Sequence, residues 1–580
     1  MSSSDPTLAS ARSYFAGCLN AEHRVSAQAS EMGMQLAQIN AMASLADLPA
    51  TLGTLQHQGV YALMTAYPEI DHGNPASYVL EISDAGWSLP SSKSYLDPDL
   101  AAAYKLHMTA LAAAAQSAGL SVVIDPEQVF ALERDLAAAG GPTSDPTLPR
   151  DPLAEYNPTD ATQLASALPG FDWALYSTSL GFGALSHATV ISADFLPGLA
   201  ALLAAAPLAT VKQYLGWRVL EAQGDHVDKP MIDEEFHFHR TVLSGQVQDP
   251  ADDEYWCLLA TRSQFGFQLA QHFVQNFVGS DVKPAATDLV EAVRSAMRVN
   301  FSRVSWLDDA TRTAALQKLD LLLPKVGYPD VWPANPPSFG GGDSYLTMAV
   351  HLAQQAEDKA AVRLSGPVDR AEFWASPEIT NAFYSPDRND ITIPVAVLQE
   401  PFFNRARPAP FSAGALGAVI GHELTHAFDS NGRHFDGTGT LTDWWTSDAA
   451  SEFQARAQCL IDQYGGYEPL PGILIDGQST LNENIADLGG LKLAYAAFEA
   501  AAPGKGSAEF SAEQQFFLSY AQLWCSNYSD QALTQQLAID PHSPPKFRVN
   551  GVVRNVPEFA QAFSCPPGAP LAPADRCDIW

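Results

Sequence analysis

Positive charge is scarce in this sequence. Its 580 residues include 32 lysines and arginines against 65 acidic residues, which gives a formal net charge of -33. Such a surface repels the phosphates of nucleic acids and anionic lipid headgroups. We therefore expect no nucleic-acid partner. Acidity also suits cationic peptides, but the solubility of a large surface explains it as well, so charge alone identifies no substrate.

Long hydrophobic runs are missing too. The most apolar tract, residues 196–211, is interrupted by Pro197 and Pro207 and falls below the roughly 20 apolar residues that a membrane-spanning helix needs. The first residues, MSSSDPTLASARSY, lack the basic segment and apolar run of a secretory signal. We expect no membrane span in this chain, and a signal that either was removed or never existed.

Length and apolar spacing predict the class of fold. A chain of this length exceeds the size at which one hydrophobic core keeps growing, so two or more lobes are expected. Apolar residues recur at helical spacing in six long segments and alternate in two short ones. The predicted helices are 100–116, 129–139, 211–222, 255–278, 285–301 and 308–323, the strands 78–82 and 390–395, and the loops 140–158 and 329–343. The predicted fold class is mainly α with small β elements.

One apolar helical segment carries a metal-binding pattern. Residues 414–429 read GALGAVIGHELTHAFD and contain H-E-x-x-H at His422, Glu423 and His426. Histidines four residues apart lie on one face of a helix, so both imidazoles can reach one zinc ion while Glu423 flanks the open coordination position. Two surface histidines are the alternative interpretation, but on an apolar helix they would need buried partners.

A third ligand must come from another part of the sequence. The three-histidine motif of metzincins needs glycine and histidine where Asp429 and Gly432 stand. Downstream, residues 481–491 read LNENIADLGGL, which places Glu483 and Asp487 one helical turn apart on one face. One carboxylate can bind the metal while the other orients a histidine. A solvated acidic helix face is the alternative.

These segments resemble the neprilysin family of zinc metallopeptidases. GHELTHAFD followed by ENIADLGG carries the resemblance, and similar segments cover nearly the whole chain in the family's order. They are NPASYVLEISDAGWSLPSSKSYL from Asn74, WLDDATRTAALQKLDLLLPKVGYPD from Trp306, NAFYSPDRNDITIPVAVLQ at 381–399, NGRHFDGTGTLTDWW at 431–445, HSPPKFR at 542–548 and CDIW at 577–580.

The resemblance implies an architecture and a cofactor. We expect two lobes around a large internal cavity, with a thermolysin-like catalytic lobe formed by residues 1–55 and 285–580 and a helical covering lobe formed by residues 56–284. We also expect one zinc ion, oligopeptide substrates and a monomer.

The resemblance also assigns roles at the metal. It makes His422, His426 and Glu483 the zinc ligands. Asp487 would orient His422, and Glu423 would take a proton from water and pass it to the departing nitrogen.

Substrate-binding roles follow from the same resemblance. His542 would donate to the oxyanion, and Arg548 would hold a substrate carbonyl by a forked hydrogen bond. Asn381 and Ala382 begin a segment similar to an edge strand that pairs with the substrate main chain. The expected pocket beyond the scissile bond is apolar and is lined by Val397, Phe402, Val419 and Trp524.

The expected activity is therefore a zinc-dependent endopeptidase that cuts short peptides on the N-terminal side of hydrophobic residues. A catalytically silent peptide-binding relative is one alternative, although such a protein normally lacks the base or a ligand and all are present here. A domain that uses zinc only for folding is another, although a structural site typically has four protein ligands.

The six cysteines are an even number, which suits an oxidising compartment, while reduced buried thiols are the alternative. The resemblance implies the disulfides Cys459–Cys577 and Cys18–Cys525. Cys257 and Cys565 match family cysteines whose partners are missing, so we expect two thiols there, with a bond between them as the alternative. On this basis we expect a secreted or periplasmic protein.

Overall fold

The computed structural model describes residues 5–19, 30–141, 151–245, 253–334, 339–340, 342–501 and 509–580. The chain divides into two compact units. Unit 1 comprises Met1–Asp71, Ala76–Phe265 and Ala334–Val368, and unit 2 comprises His72–Pro75, Gly266–Pro333 and Asp369–Trp580.

Helices dominate both units. The α-helices are α1 Ala9–Leu19, α2 Glu31–Ala41, α3 Leu48–His57, α4 Pro98–Ser117, α5 Pro126–Ala139, α6 Pro152–Glu155, α7 Ala161–Ala167, α8 Trp173–Leu180, α9 Phe195–Ala205, α10 Leu208–Gln223, α11 Lys229–Phe236, α12 Asp253–Phe277, α13 Val282–Arg303, α14 Asp309–Leu321, α15 Tyr345–Leu364, α16 Ala409–Gly414, α17 Leu416–His426, α18 Ser447–Gly465, α19 Leu481–Ala500, α20 Ala512–Leu523, α21 Asp530–Ile539, α22 Pro545–Val553 and α23 Pro557–Ala562. The strands are β1 Leu63–Ile70, β2 Tyr78–Ala85, β3 Asn157–Asp160, β4 His187–Val190, β5 Leu323–Gly327, β6 Phe383–Ser385 and β7 Asp390–Pro394.

Unit 1 contains a four-stranded sheet together with helices. The strand order is β1-β2-β4-β3, in which β2 and β4 are parallel and the other pairs are antiparallel. Helices α4 and α5 begin at strong sequence signals, because each has proline at its start and an aspartate, Asp97 or Asp125, that accepts hydrogen bonds from the first turn. Their apolar faces bury Tyr104 and Leu136 in the core of this unit.

Unit 2 has a smaller, three-stranded sheet packed against helices. The strand order is β5-β7-β6, so β6 is an edge strand. Strand β7 is buried along its whole length, and its Ile391 and Ile393 join the core formed by α13, α17 and α19. Trp580 is also buried in this core, where it contacts Phe301 and Trp445.

The structure confirms the mainly α class. The predicted helices 100–116 and 129–139 correspond to α4 and α5, and the predicted strands 78–82 and 390–395 correspond to β2 and β7. The predicted helix 308–323 ends earlier, as α14, because Leu323 precedes a proline and such residues favour extended backbone. Residues 142–150 of one predicted loop lie outside the described residues, and the rest of that loop contains α6 and β3.

The division into units differs from the predicted lobes at the N-terminus. The sequence prediction assigns residues 1–55 to the catalytic lobe, whereas the described part of this segment belongs to unit 1. The reason is apolar packing, since α2 lies against α10 and α3 against α8, with Leu36 and Leu52 buried in the core of unit 1. Helix α15 also belongs to unit 1.

The disulfides correct one predicted pairing. Cys459–Cys577 is formed in unit 2, as predicted. The predicted Cys18–Cys525 bond is wrong, because Cys18 is bonded to Cys257 within unit 1 and Cys525 is an exposed free thiol. Helices α1 and α12 bring Cys18 and Cys257 together in an aromatic cluster. The predicted free thiol at Cys257 is therefore also wrong, whereas Cys565 is a free thiol, as predicted.

Within the described ranges, no single helix is long and apolar enough to cross a bilayer. The helices Phe195–Ala205 and Leu208–His226 reach that length and hydropathy only when they are taken together, and they are bent by 119°.

Candidate metal centre

Helices α17 and α19 approach each other closely at glycine residues. A Cβ added at Gly421 would lie 2.5 Å from the carbonyl oxygen of Gly490, and one at Gly490 would lie 2.5 Å from the backbone nitrogen of His422. Backbone atoms cannot give way to such contacts, so this approach requires glycine at both positions. These glycines therefore set the distance at which side chains from the two helices meet.

Three of those side chains form a compact donor group. Nε2 of His422 lies 3.0 Å from Nε2 of His426 and 3.2 Å from Oε2 of Glu483, and the His426–Glu483 distance is 3.6 Å. A zinc ion with bonds of about 2.0 to 2.1 Å in tetrahedral geometry separates its donor atoms by about 3.3 Å. The buried Oε2 of Glu483 makes no hydrogen bond. Donor type, spacing and this unsatisfied oxygen all fit a zinc ion.

Each histidine is oriented by a carboxylate on its other ring nitrogen. Nδ1 of His422 lies 2.8 Å from Asp487, and Nδ1 of His426 lies 2.7 Å from Asp429. Both contacts direct Nε2 toward the donor group. Burial raises the pKa of Asp487, but the charge and hydrogen bonds of Arg548 outweigh it and hold this pKa at about 2. Asp487 is therefore a carboxylate.

Glu423 lies beside this group without belonging to it. Its side chain is buried, and burial raises the pKa of its carboxyl group above the usual value, while the neighbouring charges of His422 and His426 oppose this rise. A carboxyl group with a raised pKa is better suited than an ordinary one to accept a proton.

His542 is held between two carboxylates. Its Nδ1 lies 2.7 Å from Asp540, and its Nε2 lies 3.1 Å from Oε2 of Glu483. Burial disfavours the charged ring, but the hydrogen bond to Asp540 and the negative charge of Glu483 prevail and raise the pKa of His542 to about 9. The imidazole therefore carries a proton on both nitrogens near neutral pH and can donate from Nε2.

Except for Asp540, the side chains described above border one cavity of about 480 Å³ in unit 2. The structure brings every predicted substrate-binding residue to this cavity: Asn381, Ala382, Val397, Phe402, Val419, Trp524 and Arg548. Residues 381 and 382 directly precede β6, the edge strand of the three-stranded sheet. The Arg548 guanidinium lies 3.8 Å from the centre of the Trp524 ring and donates to both oxygens of Asp487.

Two orienting carboxylates are missing from the sequence prediction. Asp429 lies three residues after His426 and Asp540 two residues before His542. Both spacings allow local hydrogen bonds, so proximity to the histidines was the signal available for finding them.

The mainly helical fold and this donor group are those of a zinc-dependent metallopeptidase. Comparison with known families agrees, because residues 1–329 and 381–579 both match the description Peptidase family M13. The chain belongs to Peptidase family M13.

Related proteins align with most of this chain. It is 30% identical over 570 residues to "Endothelin-converting enzyme homolog" of Locusta migratoria, covering 92% of this chain and 76% of the relative. It is also 30% identical over 546 residues to Neprilysin-3 of Drosophila melanogaster, covering 88% and 68%.

Solved structures show the same architecture. The Mycobacterium tuberculosis zinc metalloprotease Zmp1 in complex with an inhibitor matches with a TM-score of 0.90 at 32% identity, covering 98% of this chain and 88% of that one. PepO from Lactobacillus rhamnosis matches with a TM-score of 0.85 at 23% identity, covering 98% and 90%, and supports the fold alone.

Proposed function

We propose that this peptidase is a zinc-dependent endopeptidase that cuts oligopeptides on the N-terminal side of hydrophobic residues. One observation carries the proposal: the three-donor group, Glu423 and a set of apolar side chains border the same cavity. A donor group with three protein ligands leaves a coordination position open, as catalytic zinc sites do.

We assign the chemical roles as follows. His422, His426 and Glu483 hold one zinc ion, which when bound supplies Lewis acidity for polarising a carbonyl group and acidifying water. Glu423 removes a proton from the attacking water and delivers it to the departing nitrogen, which its raised pKa supports. His542 donates from Nε2 to the carbonyl oxygen as negative charge develops there.

Substrate would be bound mainly through its backbone. Asn381 and Ala382 extend the line of an edge strand, so an extended peptide can pair with them as an added strand. Arg548 faces the same cavity and offers donors for a carbonyl group. Backbone recognition tolerates many sequences, so selectivity would rest on the apolar pocket. That pocket is lined by Val397, Phe402, Val419 and Trp524.

A catalytically silent peptide-binding protein is the alternative function. The presence of Glu423 and all three donors favours turnover. We place the protein in a secreted or periplasmic compartment, because disulfides persist in oxidising surroundings and two of them join described residues. We also propose that it acts as a monomer.

The test is digestion of a peptide library, with mass spectrometry of the products. We expect cuts before Leu, Phe and similar residues, loss of activity with a chelator and recovery with added zinc. A preference for cuts before Lys or Asp would reject the pocket assignment. Binding of peptides without any cleavage would instead favour the silent alternative.

A further inference from the structure

Unit 1 contains a second group of metal-ligating side chains, which the proposed peptidase activity does not use. It consists of His107 on α4, Glu221 on α10, Glu235 on α11 and His239 in the π-helical turn His237–Val242. One donor atom from each residue lies within 4.8 Å of the others. We call these four residues the unit 1 cluster. Helices far apart in sequence therefore converge on one point.

The donors lie close enough together to share a single ion. Nε2 of His239 lies 3.2 Å from Oε1 of Glu221 and 3.2 Å from Oε2 of Glu235. Nε2 of His107 faces the other oxygen of each carboxylate, at 3.4 Å from Oε2 of Glu221 and 4.0 Å from Oε1 of Glu235. Tetrahedral zinc separates its donors by about 3.3 Å, so the side chains would turn to present one oxygen of each carboxylate to the ion.

The orientation of His107 repeats that of His422 in unit 2. Nδ1 of His107 lies 3.0 Å from a carboxylate oxygen of Glu234, which directs Nε2 to the cluster. Carboxylates on the far nitrogen are typical of histidines that bind metals. The His107 ring also stacks on Phe238 at 4.4 Å between centroids and meets the Trp217 ring edge to face. These aromatic rings exclude water from one side of the cluster.

Glu235 supplies an independent indication of a missing ligand. Its side chain is 9% exposed, yet its Oε1 makes no hydrogen bond. Glu483, in the donor group of unit 2, has an oxygen in the same condition. A buried carboxylate oxygen without a hydrogen bond is costly, and coordination to a cation removes that cost.

We propose that His107, Glu221, Glu235 and His239 form a second metal site, which binds one divalent zinc ion in a structural role. Two imidazoles and two carboxylates suit a divalent transition metal. Four protein ligands fill a tetrahedral shell and leave no position for water, which is typical of structural zinc. The ion joins α4, α10 and α11. This site stands independently of the peptidase function proposed for unit 2.

The test counts zinc in the full-length protein. Wild type and variants are saturated with Zn²⁺, dialysed against a weak competing chelator and analysed for metal per chain by mass spectrometry. We compare His239→Ala and Glu235→Gln with His422→Ala, which removes a donor in unit 2. His351→Ala is the matched control, because His351 is an exposed histidine of unit 1 outside the cluster. Circular dichroism checks folding.

We expect two zinc ions in wild type and in His351→Ala, and one in each of the other three variants. The ion that remains in His422→Ala should raise the thermal midpoint of that variant. One ion in wild type, or two retained in both cluster variants, would overturn the proposal and leave a set of ion pairs. If the cluster variants fail to fold, His422→Ala decides the question, because one ion supports the site and none rejects it.

Discussion

The two donor groups consist of the same residue types, histidine and glutamate. In unit 2, His422, His426 and Glu483 border a cavity, and Glu423 lies beside them without belonging to the group. In unit 1, the cluster contains a second glutamate. In the two proposals made above, the position of one carboxylate therefore separates a catalytic zinc site from a structural one. The variants below compare the two groups and the two units that contain them.

The largest effect is expected from Glu423→Gln. The change removes the base but no zinc ligand, so turnover should fall on the order of 10² to 10⁴-fold while the zinc content stays that of wild type. Peptide hydrolysis and metal analysis of the same preparation measure both quantities. Glu499→Gln, on the exposed side of α19, is the control and should behave as wild type. Near-native turnover in Glu423→Gln would exclude the proposed proton path.

Alanine substitutions at Gly490 and Gly224 should show how closely the backbone is packed beside each donor group. Gly490 lies beside His422 in unit 2, and Gly224 lies beside Glu235 in unit 1. In Gly490→Ala the new methyl group meets the backbone of His422, so we expect loss of zinc from unit 2 and a fall of about 3 kcal/mol or more in the free energy of unfolding. In Gly224→Ala the methyl group would lie 3.1 Å from the end of the Glu235 side chain, which can move, so the cost should stay below about 1.5 kcal/mol.

Denaturant unfolding with metal analysis makes this comparison. Gly465→Ala is the control, since its added Cβ would have no atom within 4 Å apart from its chain neighbours and its own helix backbone. Equal effects of Gly490→Ala and Gly224→Ala would contradict the close helix approach.

Each unit contains one disulfide. Removing either bond therefore measures how much it contributes to the free energy of unfolding. Cys18→Ser and Cys459→Ser should each lower the free energy of unfolding by about 2 to 4 kcal/mol. The bonds close loops of 239 and 118 residues, so loop entropy makes the unit 1 bond about 0.6 kcal/mol more stabilising. Cys525→Ser, which removes an exposed thiol, should be silent.

Peptide mapping after alkylation of the unfolded, unreduced protein gives the pairing directly. We expect labels on Cys525 and Cys565. A label on Cys18 or Cys257 would reject the unit 1 bond.

The smallest effects should come from the orienting carboxylates. Asp487→Asn should weaken zinc binding in unit 2 by about 10 to 100-fold, as the loss of such partners typically does. Glu234→Gln should weaken binding in unit 1 by less, because the side chain of Glu234 is 19% exposed whereas that of Asp487 is 2% exposed. Competition with a zinc indicator measures both affinities. A larger loss for Glu234→Gln would reverse the proposed ranking.

The unit 2 site was predictable because its residues occur in short motifs. His422, Glu423 and His426 lie within five residues, and Glu483 is followed by the second acidic residue one turn later. Helical spacing turns such motifs directly into geometry. The position of residues 381 and 382 beside an edge strand, in contrast, depends on how β5, β6 and β7 pair. Residue spacing does not indicate this pairing, and only the resemblance to the neprilysin family predicted it.

Asp429 and Asp540 were missed although they lie close in sequence to the histidines that they contact. Two other missed features, the unit 1 cluster and the Cys18 pairing, depend on long-range packing. The unit 1 cluster draws donors from four separate elements, and only Glu235 and His239 are close in sequence. A glutamate four residues before a histidine is too common to indicate a metal site. The Cys18–Cys257 pairing also joins residues far apart in sequence, which lie together in a cluster with Tyr14 and Phe265.

The Cys18–Cys257 bond has a consequence for survival under proteolytic attack. Most of unit 1, including every residue of the unit 1 cluster, lies in the chain between these two cysteines. A protease that cuts once within this stretch therefore produces two fragments that sulfur still joins. Electrophoresis without reductant would show a nicked molecule at full size, and only a reducing gel would separate its halves.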